Sequence, residues 1–424
     1  MATPPLPVPD PPPGADPARL VTAHEAAAAF YRQRLLAADG PRAYLTGRGL
    51  GELARPDLPW RHGIDQPWRL GYAPPGWTAL TSHLRAAGYT GDELRAAGLA
   101  RRARTGTLID TFRDRIMLPI RDRNGHTVAF IGRAAPGATP DVPKYLNSGD
   151  TAIYHKGQIL YGLAEQADRL AAGWAPVLVE GPLDALAVWL AHPHHAGLGR
   201  VGLAPCGTRL TNQQAAALAA LPGAARHGIT VAYDNDPAGQ AAAGHAYRLL
   251  ARPEGPDLHA AALPSGADPA DLIGHPDTTA GLRAALTHQA RPLAQAVIDH
   301  TLGQLIGRHP TLLDDAEGRV LAVRAVAPLL TPLDAARSAP LLGYVAAATG
   351  TGVDTVTWAV IAAFETPPPK APHPRPDHAP STKDGSGVAR AFPPPRLAPD
   401  QPPAGPTPST PPDPSHGRRA GRHR

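Results

Sequence analysis

Cysteine is nearly missing from this chain: Cys206 is the single one in 424 residues. A lone thiol closes no internal disulfide and builds no multi-cysteine zinc cluster, which excludes disulfide-stapled secreted scaffolds and zinc fingers. Long apolar runs are missing as well. No stretch of about 18 consecutive apolar residues occurs, and residues 1–13 have neither a basic start nor an apolar run. A signal peptide and a membrane anchor are therefore not expected, and the chain reads as cytoplasmic. Lysine is the third scarcity. Of 41 basic residues all but Lys144, Lys156, Lys370 and Lys383 are arginine. Lys144 and Lys156 stand in Pro143-Lys144-Tyr145-Leu146-Asn147-Ser148 and His155-Lys156-Gly157. A compact ammonium suits a tight phosphate contact that the wide guanidinium fork does not.

Proline is abundant but unevenly placed. Half of the 52 prolines lie in residues 1–17 and 367–424, where there is little apolar surface to bury. Disorder is expected over residues 1–21 and 366–424, leaving a folded body between. Charge divides too: residues 18–165 hold 20 basic and 13 acidic side chains, residues 166–366 hold 12 basic and 17 acidic ones. A cationic region suits a phosphate-bearing partner and an anionic one suits divalent cations.

The anionic part carries the chemistry. Residues 177–179 form an unbroken apolar run that reads as a buried parallel strand, and Pro182 then opens a helix. Glu180 falls at the carboxyl end of that strand, with Asp184 four residues on. Residues 229–233 form a second, β-branched strand followed by Asp234-Asn235-Asp236, and Pro237-Ala238-Gly239 opens a helix to about Leu250. A third candidate strand, 258–263, leads into Gly266-Ala267-Asp268-Pro269-Ala270-Asp271. In open parallel sheets ligands bind beyond the carboxyl ends of the strands, so the three acidic turns are expected to converge there. Carboxylates without histidine or cysteine are the donors that magnesium and manganese take, and phosphoryl transfer is the reaction class that most often needs such ions.

These residues carry a resemblance. Glu180-Gly181-Pro182-Leu183-Asp184 and Asp234-Asn235-Asp236-Pro237-Ala238-Gly239 resemble the Toprim signature of bacterial primases, topoisomerases and related nucleases. Upstream, Tyr44-Leu45-Thr46-Gly47-Arg48-Gly49-Leu50, Leu70-Gly71-Tyr72-Ala73-Pro74, Phe112-Arg113-Asp114-Arg115-Ile116-Met117-Leu118-Pro119-Ile120, Phe130-Ile131-Gly132-Arg133 and the two lysine motifs resemble the RNA polymerase core of DnaG-type bacterial primases in order and spacing. Gly207-Thr208-Arg209-Leu210-Thr211 is similar to that family's Gly-Thr-x-Leu-Thr turn. The match covers about residues 22–275.

The resemblance implies an α/β fold, α+β overall: a basic subdomain at 22–165, a Toprim-type parallel sheet with flanking helices at 166–280, and a helical subdomain at 281–365. It implies a nucleotidyltransferase that makes RNA primers on single-stranded DNA from ribonucleoside triphosphates during replication. Glu180, Asp184, Asp234, Asp236 and Asp268 match the family's metal-ligating acids for Mg2+ or Mn2+, with Glu180, Asp234 and Asp236 catalytic. Arg48, Arg113, Arg115, Arg133, Lys144, Tyr145, Asn147 and Lys156 match its nucleotide and template positions. The family's zinc-binding domain has no counterpart in residues 1–21, so no zinc is expected, and Ala270 replaces the usual second acid of the third motif, with Asp271 one position along. A replicative helicase, or a zinc-domain protein acting in trans, is the further partner the resemblance raises. A Toprim nuclease and a catalytically weak single-stranded-DNA-binding paralogue are the alternatives. His192, His194 and His195 read as surface residues in a loop, and Trp60, Trp68 and Trp77 read mostly as packing.

Overall fold

The computed structural model describes residues 16–55, 68–135, 137–139, 142–192, 199–207 and 209–365. The expected disorder of residues 1–15 and 366–424, and the readings of Trp60, His194, His195 and Thr208, concern residues outside that set. Residues 17–21 are not a disordered lead. Helix α1 (Pro17–Ala37) starts there because the Asp16 side chain accepts from the Ala18 N–H and Pro17 fills a first-turn position that needs no donor. Leu20 is fully buried. Helix α2 (Asp39–Gly47) follows.

The basic region is built on an antiparallel sheet in the order β1 (Gly71–Ala73), β2 (Arg115–Arg121), β3 (Thr127–Ala134), β4 (Tyr145–Asn147). Its centre is the β2–β3 hairpin. There the Asp122 carboxylate accepts the Asn124 and His126 N–H groups at 2.9 Å each, and Gly125 takes the left-handed φ that closes the turn.

The acidic region is a six-stranded mixed sheet. Strands β5 (Leu160–Tyr161), β6 (Ala175–Val179), β7 (Arg200–Pro205), β8 (Ile229–Ala232), β9 (Leu258–Ala260) and β10 (Arg291–Pro292) lie in the order β10-β9-β8-β6-β7-β5. The four central strands are parallel, and β5 and β10 close the edges antiparallel. All five residues of β6 are buried, as an apolar strand covered on both faces should be. Helices α3 (Pro182–Ala191), α4 (Asn212–Ala219) and α5 (Pro237–Leu250) return the chain between strands, with proline opening α3 and α5. The third strand is shorter than expected, ending at Ala260, and helix α6 (Pro276–Ala285) follows the third acidic turn.

The C-terminal stretch folds as amphipathic helices α7 (Leu293–Arg308), α8 (Ala316–Val326), α9 (Ala335–Thr349) and α10 (Val353–Glu365). Leu293, Val297, Val323, Val345 and Val356 join one core with Tyr247 and Leu250 of α5. Among the described residues no single helix is long and apolar enough to cross a membrane. A second core runs through both sheets, linking Leu118 and Ile120 of β2 to Val177 and Val179 of β6 and to Leu186 and Leu282. Fully burying each such side chain stabilises the fold by roughly 1.5–3 kcal/mol.

One histidine reading is corrected. His192 is only 7% exposed. It ends α3 with Nδ1 on the Val188 carbonyl at 3.0 Å, because the last turn of that helix is itself covered. The tryptophans divide: Trp68 is 1% exposed, against Tyr161 and Trp189, whereas Trp77 is 61% exposed with the Arg113 guanidinium 4.3 Å above its ring.

Candidate functional site

Register brings the acids together. Val179 pairs with Ala232 in parallel, so Glu180 and the Tyr233-Asp234 turn leave the sheet side by side, and Val231 pairs with Ala260 on the next strand. Glu180 Oε1 accepts the Asp234 N–H at 3.1 Å and locks the first two acidic turns to each other. Asp236 caps α5 by accepting the Gly239 N–H at 2.8 Å. Asp268 caps the third turn through the Asp271 N–H at 2.8 Å.

Asp184 sits beneath this surface, 7% exposed. The Gly181 N–H donates to one of its oxygens at 3.0 Å and the Ala270 N–H to the other at 3.3 Å, so this carboxylate ties the first acidic turn to the third. The spacing Gly-Pro-Leu-Asp is thereby explained. Proline occupies the first helical position and the acid three residues past the cap reaches back to the cap N–H.

Crowding shows in the proton affinities. Burial, with repulsion from Asp268 and Asp234, pushes the Asp184 carboxyl up to about 8. Burial and the neighbouring Asp234 and Asp236 raise Glu180, and burial with Asp268 and Asp236 raises Asp234, while Lys144 opposes both. Like charges held this close destabilise one another unless a cation is present. The amino ends of α3 and α5 supply part of the compensating field. Among the described residues no three His, Cys, Asp or Glu side chains are arranged to hold a metal ion. Glu180, Asp184, Asp234, Asp236 and Asp268 are nevertheless hard oxygen donors of the type a divalent cation takes, and the repulsion that raises Glu180, Asp184 and Asp234 is what such a cation would relieve.

Beside the acids lies a cavity of about 760 Å³ with a cationic wall. Lys144 just before β4 and Tyr145 and Asn147 within it line this cavity, with Glu180 and Gly181 of the first acidic turn and with Arg209, His245 and Arg248. Tyr145 accepts from Arg133 at 2.9 Å, and Arg133 also donates to the Tyr44 hydroxyl, so that guanidinium is fixed between two rings. Burial pushes the Tyr145 hydroxyl up to about 12. Asn147 donates to the Cys206 carbonyl at 2.8 Å and anchors β4 against the acidic sheet.

The remaining cations go elsewhere. Arg48 pairs with Asp268 at 3.8 Å and Asp271 at 3.2 Å, joining α2 to the third acidic turn, and Asp271 is thus turned toward Arg48. Arg113 donates to the Asp110 carbonyl at 2.6 Å and covers Trp77. Arg115, expected in the groove, is instead 5% exposed, its guanidinium donating to the Gly132 and Pro143 carbonyls at 3.0 and 2.9 Å. It braces β2, β3 and the segment before β4. Lys156 is exposed, its backbone N–H on Asp150 and its carbonyl on Gln214. His245 and Arg248 were not singled out by the sequence. With Ala238, Ala241 and Ala242 they form the groove-facing side of α5, and their spacing of three and four residues is the signal.

Comparison with known proteins accords with this arrangement. Residues 30–167 match the family model described as the DNA primase catalytic core, N-terminal domain, and residues 177–273 match the Toprim-like family. The DNA primase of Streptomyces coelicolor is 35% identical over 319 residues, which are 74% of this chain and 45% of that protein. The chain spans about half the length of the primases it matches in this way. The RNA polymerase domain of Mycobacterium tuberculosis primase, solved in complex with double-stranded DNA, superposes with a TM-score of 0.61 at 30% identity, over 80% of this chain and 100% of that one. A DnaG primase catalytic domain bound to single-stranded DNA gives 0.61 at 29% identity, over 80% and 98%.

Proposed function

Because the chain belongs to the DnaG-type bacterial DNA primase family and carries its catalytic core with the Toprim fold, we propose that it makes short RNA primers on single-stranded DNA by template-directed, divalent-metal-dependent nucleotidyl transfer. The observation that carries this reading is the shared wall: Glu180 belongs both to the acidic cluster and to the cavity that Lys144, Arg209 and Arg248 make cationic. A triphosphate needs both, cations for its oxygens and a metal at the reacting phosphorus.

Residues 22–165 hold the template and contribute Lys144, Tyr145 and the braced Arg133 to the groove. Residues 166–280 carry the acids, and residues 281–365 back the sheet. The incoming ribonucleoside triphosphate lies with its phosphates along Lys144, Arg209 and Arg248. The 3′-hydroxyl oxygen of the growing strand attacks the α-phosphorus. One bond forms to that oxygen as the bond to pyrophosphate breaks, and the hydroxyl proton passes to water. Glu180, Asp234 and Asp236 would hold magnesium or manganese, which would supply neutralisation of the developing phosphate charge. Asp184 keeps the first and third turns in place, and Glu180 does the same for the second through the Asp234 N–H. Rate comes from positioning more than from covalent chemistry.

The test is primer synthesis by the full chain on single-stranded DNA with labelled ribonucleotides and magnesium or manganese. Short RNA that disappears in Glu180→Gln and Asp234→Asn, with template affinity retained, is the expected result. Strand cleavage without nucleotides would point to the nuclease alternative. Extension of a supplied primer without unprimed synthesis would place initiation in another module. Template binding with neither activity would leave a binding protein.

A further inference from the structure

A side-chain hydrogen bond holds each residue of the Asp234-Asn235-Asp236 turn. The Asp234 N–H donates to Glu180 at 3.1 Å, and the Asp236 carboxylate accepts the Gly239 N–H at 2.8 Å. Asn235, between them, is exposed, and its Oδ1 accepts from Gln240 Nε2 at 3.2 Å. This third bond begins a chain that leads out of the acidic region. Gln240 Oε1 lies 2.6 Å from His300 Nδ1, and His300 Nε2 lies 2.9 Å from Gln304 Nε2.

The direction of donation is fixed at every link. An amide oxygen only accepts, so His300 carries its proton on Nδ1 and receives at Nε2 from Gln304. With its oxygen committed to His300, Gln240 turns its amide nitrogen toward the Asn235 oxygen. Three side chains thus donate in one sense, from α7 to the acidic turn, and bonds ordered this way strengthen one another. The far end of the chain sits on a braced helix. Asp299, next to His300 on α7, accepts from Arg291 of β10 on one oxygen and from the Tyr344 hydroxyl of α9 on the other. Rotation of α7 at this point is opposed from both sides, which makes His300 a fixed post.

The turn has a reason to need one. Asp236 and Asp268 repel Asp234, and two acids flanking one exposed residue move apart under that repulsion. A tether on the residue between them opposes the movement. Resting on the reading of these acids as cation ligands, we propose that His300 is a positioning residue for the Asp234-Asn235-Asp236 turn, acting through Gln240 to limit how far the two carboxylates separate. The helical region then contributes to the site as well as backing the sheet.

An isostere separates the donor from the bulk of the ring. In His300→Asn the amide nitrogen takes the place of Nδ1 and keeps the bond to Gln240, whereas His300→Leu leaves no donor. Mn2+ is titrated into the full chain and the free ion read by electron paramagnetic resonance, with Asp234→Asn marking the binding that belongs to this turn. His300→Leu is expected to raise the Mn2+ Kd about tenfold, the size usual for an outer support of a metal site, and His300→Asn to restore it. Tm should stay within about 3 °C of wild type in both. Gln240→Met breaks the same chain, so the double variant with His300→Leu should bind no more weakly than either single one. Additive losses overturn the inference, as does an asparagine variant as weak as the leucine one or a leucine variant with wild-type affinity. If the wild-type chain shows no Mn2+ binding that Asp234→Asn removes, the reading of the acids as ligands fails on its own. Hydrogen exchange then tests the tether: the Asp234 and Gly239 amides should exchange faster in His300→Leu than in wild type or His300→Asn, and equal rates overturn it.

Discussion

Gly239 is the position where one methyl group tests the architecture of the acidic site. It lies in the first turn of α5, and a Cβ there would stand 2.1 Å from the Asp234 carbonyl oxygen and 2.7 Å from Glu180 Oε1. Ordinary contact begins at 3.4 Å, so either the helix start or the Asp234 turn must give by about 1 Å. Such overpacking costs about 1–3 kcal/mol. Gly244 on the same helix is the control. Its nearest neighbours to an added Cβ are at 3.7 and 3.8 Å, and alanine there gains the helix preference of about 0.5–1 kcal/mol. The two Gly→Ala changes are therefore expected to move Tm in opposite directions, by a combined spread on the order of 5 °C. Activity should divide the same way. A displacement of about 1 Å in a positioning group lowers rate about 100-fold, so Gly239→Ala should nearly lose primer synthesis while Gly244→Ala keeps it. Thermal unfolding and primer extension on one template read both quantities. A Gly239→Ala protein with wild-type Tm and rate would refute the claim that backbone closeness at this turn sets the site.

Other outcomes follow from particular side chains. Trp77→Ala should lower single-stranded DNA affinity about tenfold, the worth of roughly one stacked base. Because Trp77 is 61% exposed, its loss should leave Tm within about 1 °C; an unchanged affinity by fluorescence anisotropy would remove it from the template path. His24 is fully buried against Phe130, and burial holds its pKa near 4 rather than 6.5. A depressed histidine pKa gives stability that is full above 6.5 and falls as pH drops toward 4, by about 3 kcal/mol over that window. Denaturant unfolding of His24→Phe between those limits should show a shallower loss than wild type. An identical slope would mean that another group carries it.

Much of the site was legible because its elements are local. Apolar runs ending in an acid, with proline opening the next helix, mark strand, turn and helix within about ten residues, and the turns at Glu180 and Asp234 fell where parallel strands end, whereas Asp268 lies eight residues past the end of β9. What the sequence did not reveal depends on contacts remote in the chain. Arg48 meets Asp268 and Asp271 more than 200 residues on, and no local pattern shows that pairing. Arg113 and Arg115 are two residues apart, yet one covers an exposed tryptophan and the other is sealed by two carbonyls, because only the latter lies where β2, β3 and the chain before β4 meet. His192 was misread for a related reason. The composition of a helix end does not tell whether another helix covers it, and here Arg283 of α6 reaches back to the Ala191 carbonyl.

The core that runs through both sheets limits how this protein can be taken apart. Leu118, Ile120, Val177 and Val179 are neighbours in one apolar interior, and the lining of the cationic groove is drawn from both sides of it. A cut near residue 166 would leave two fragments, each with a bare hydrophobic face and half of a binding wall. A chimera that borrowed one half from a distant relative would have to borrow the packing of the other as well. A substitution along the strands that join the halves is therefore felt on both sides of that interior, even where the side chain touches no nucleotide.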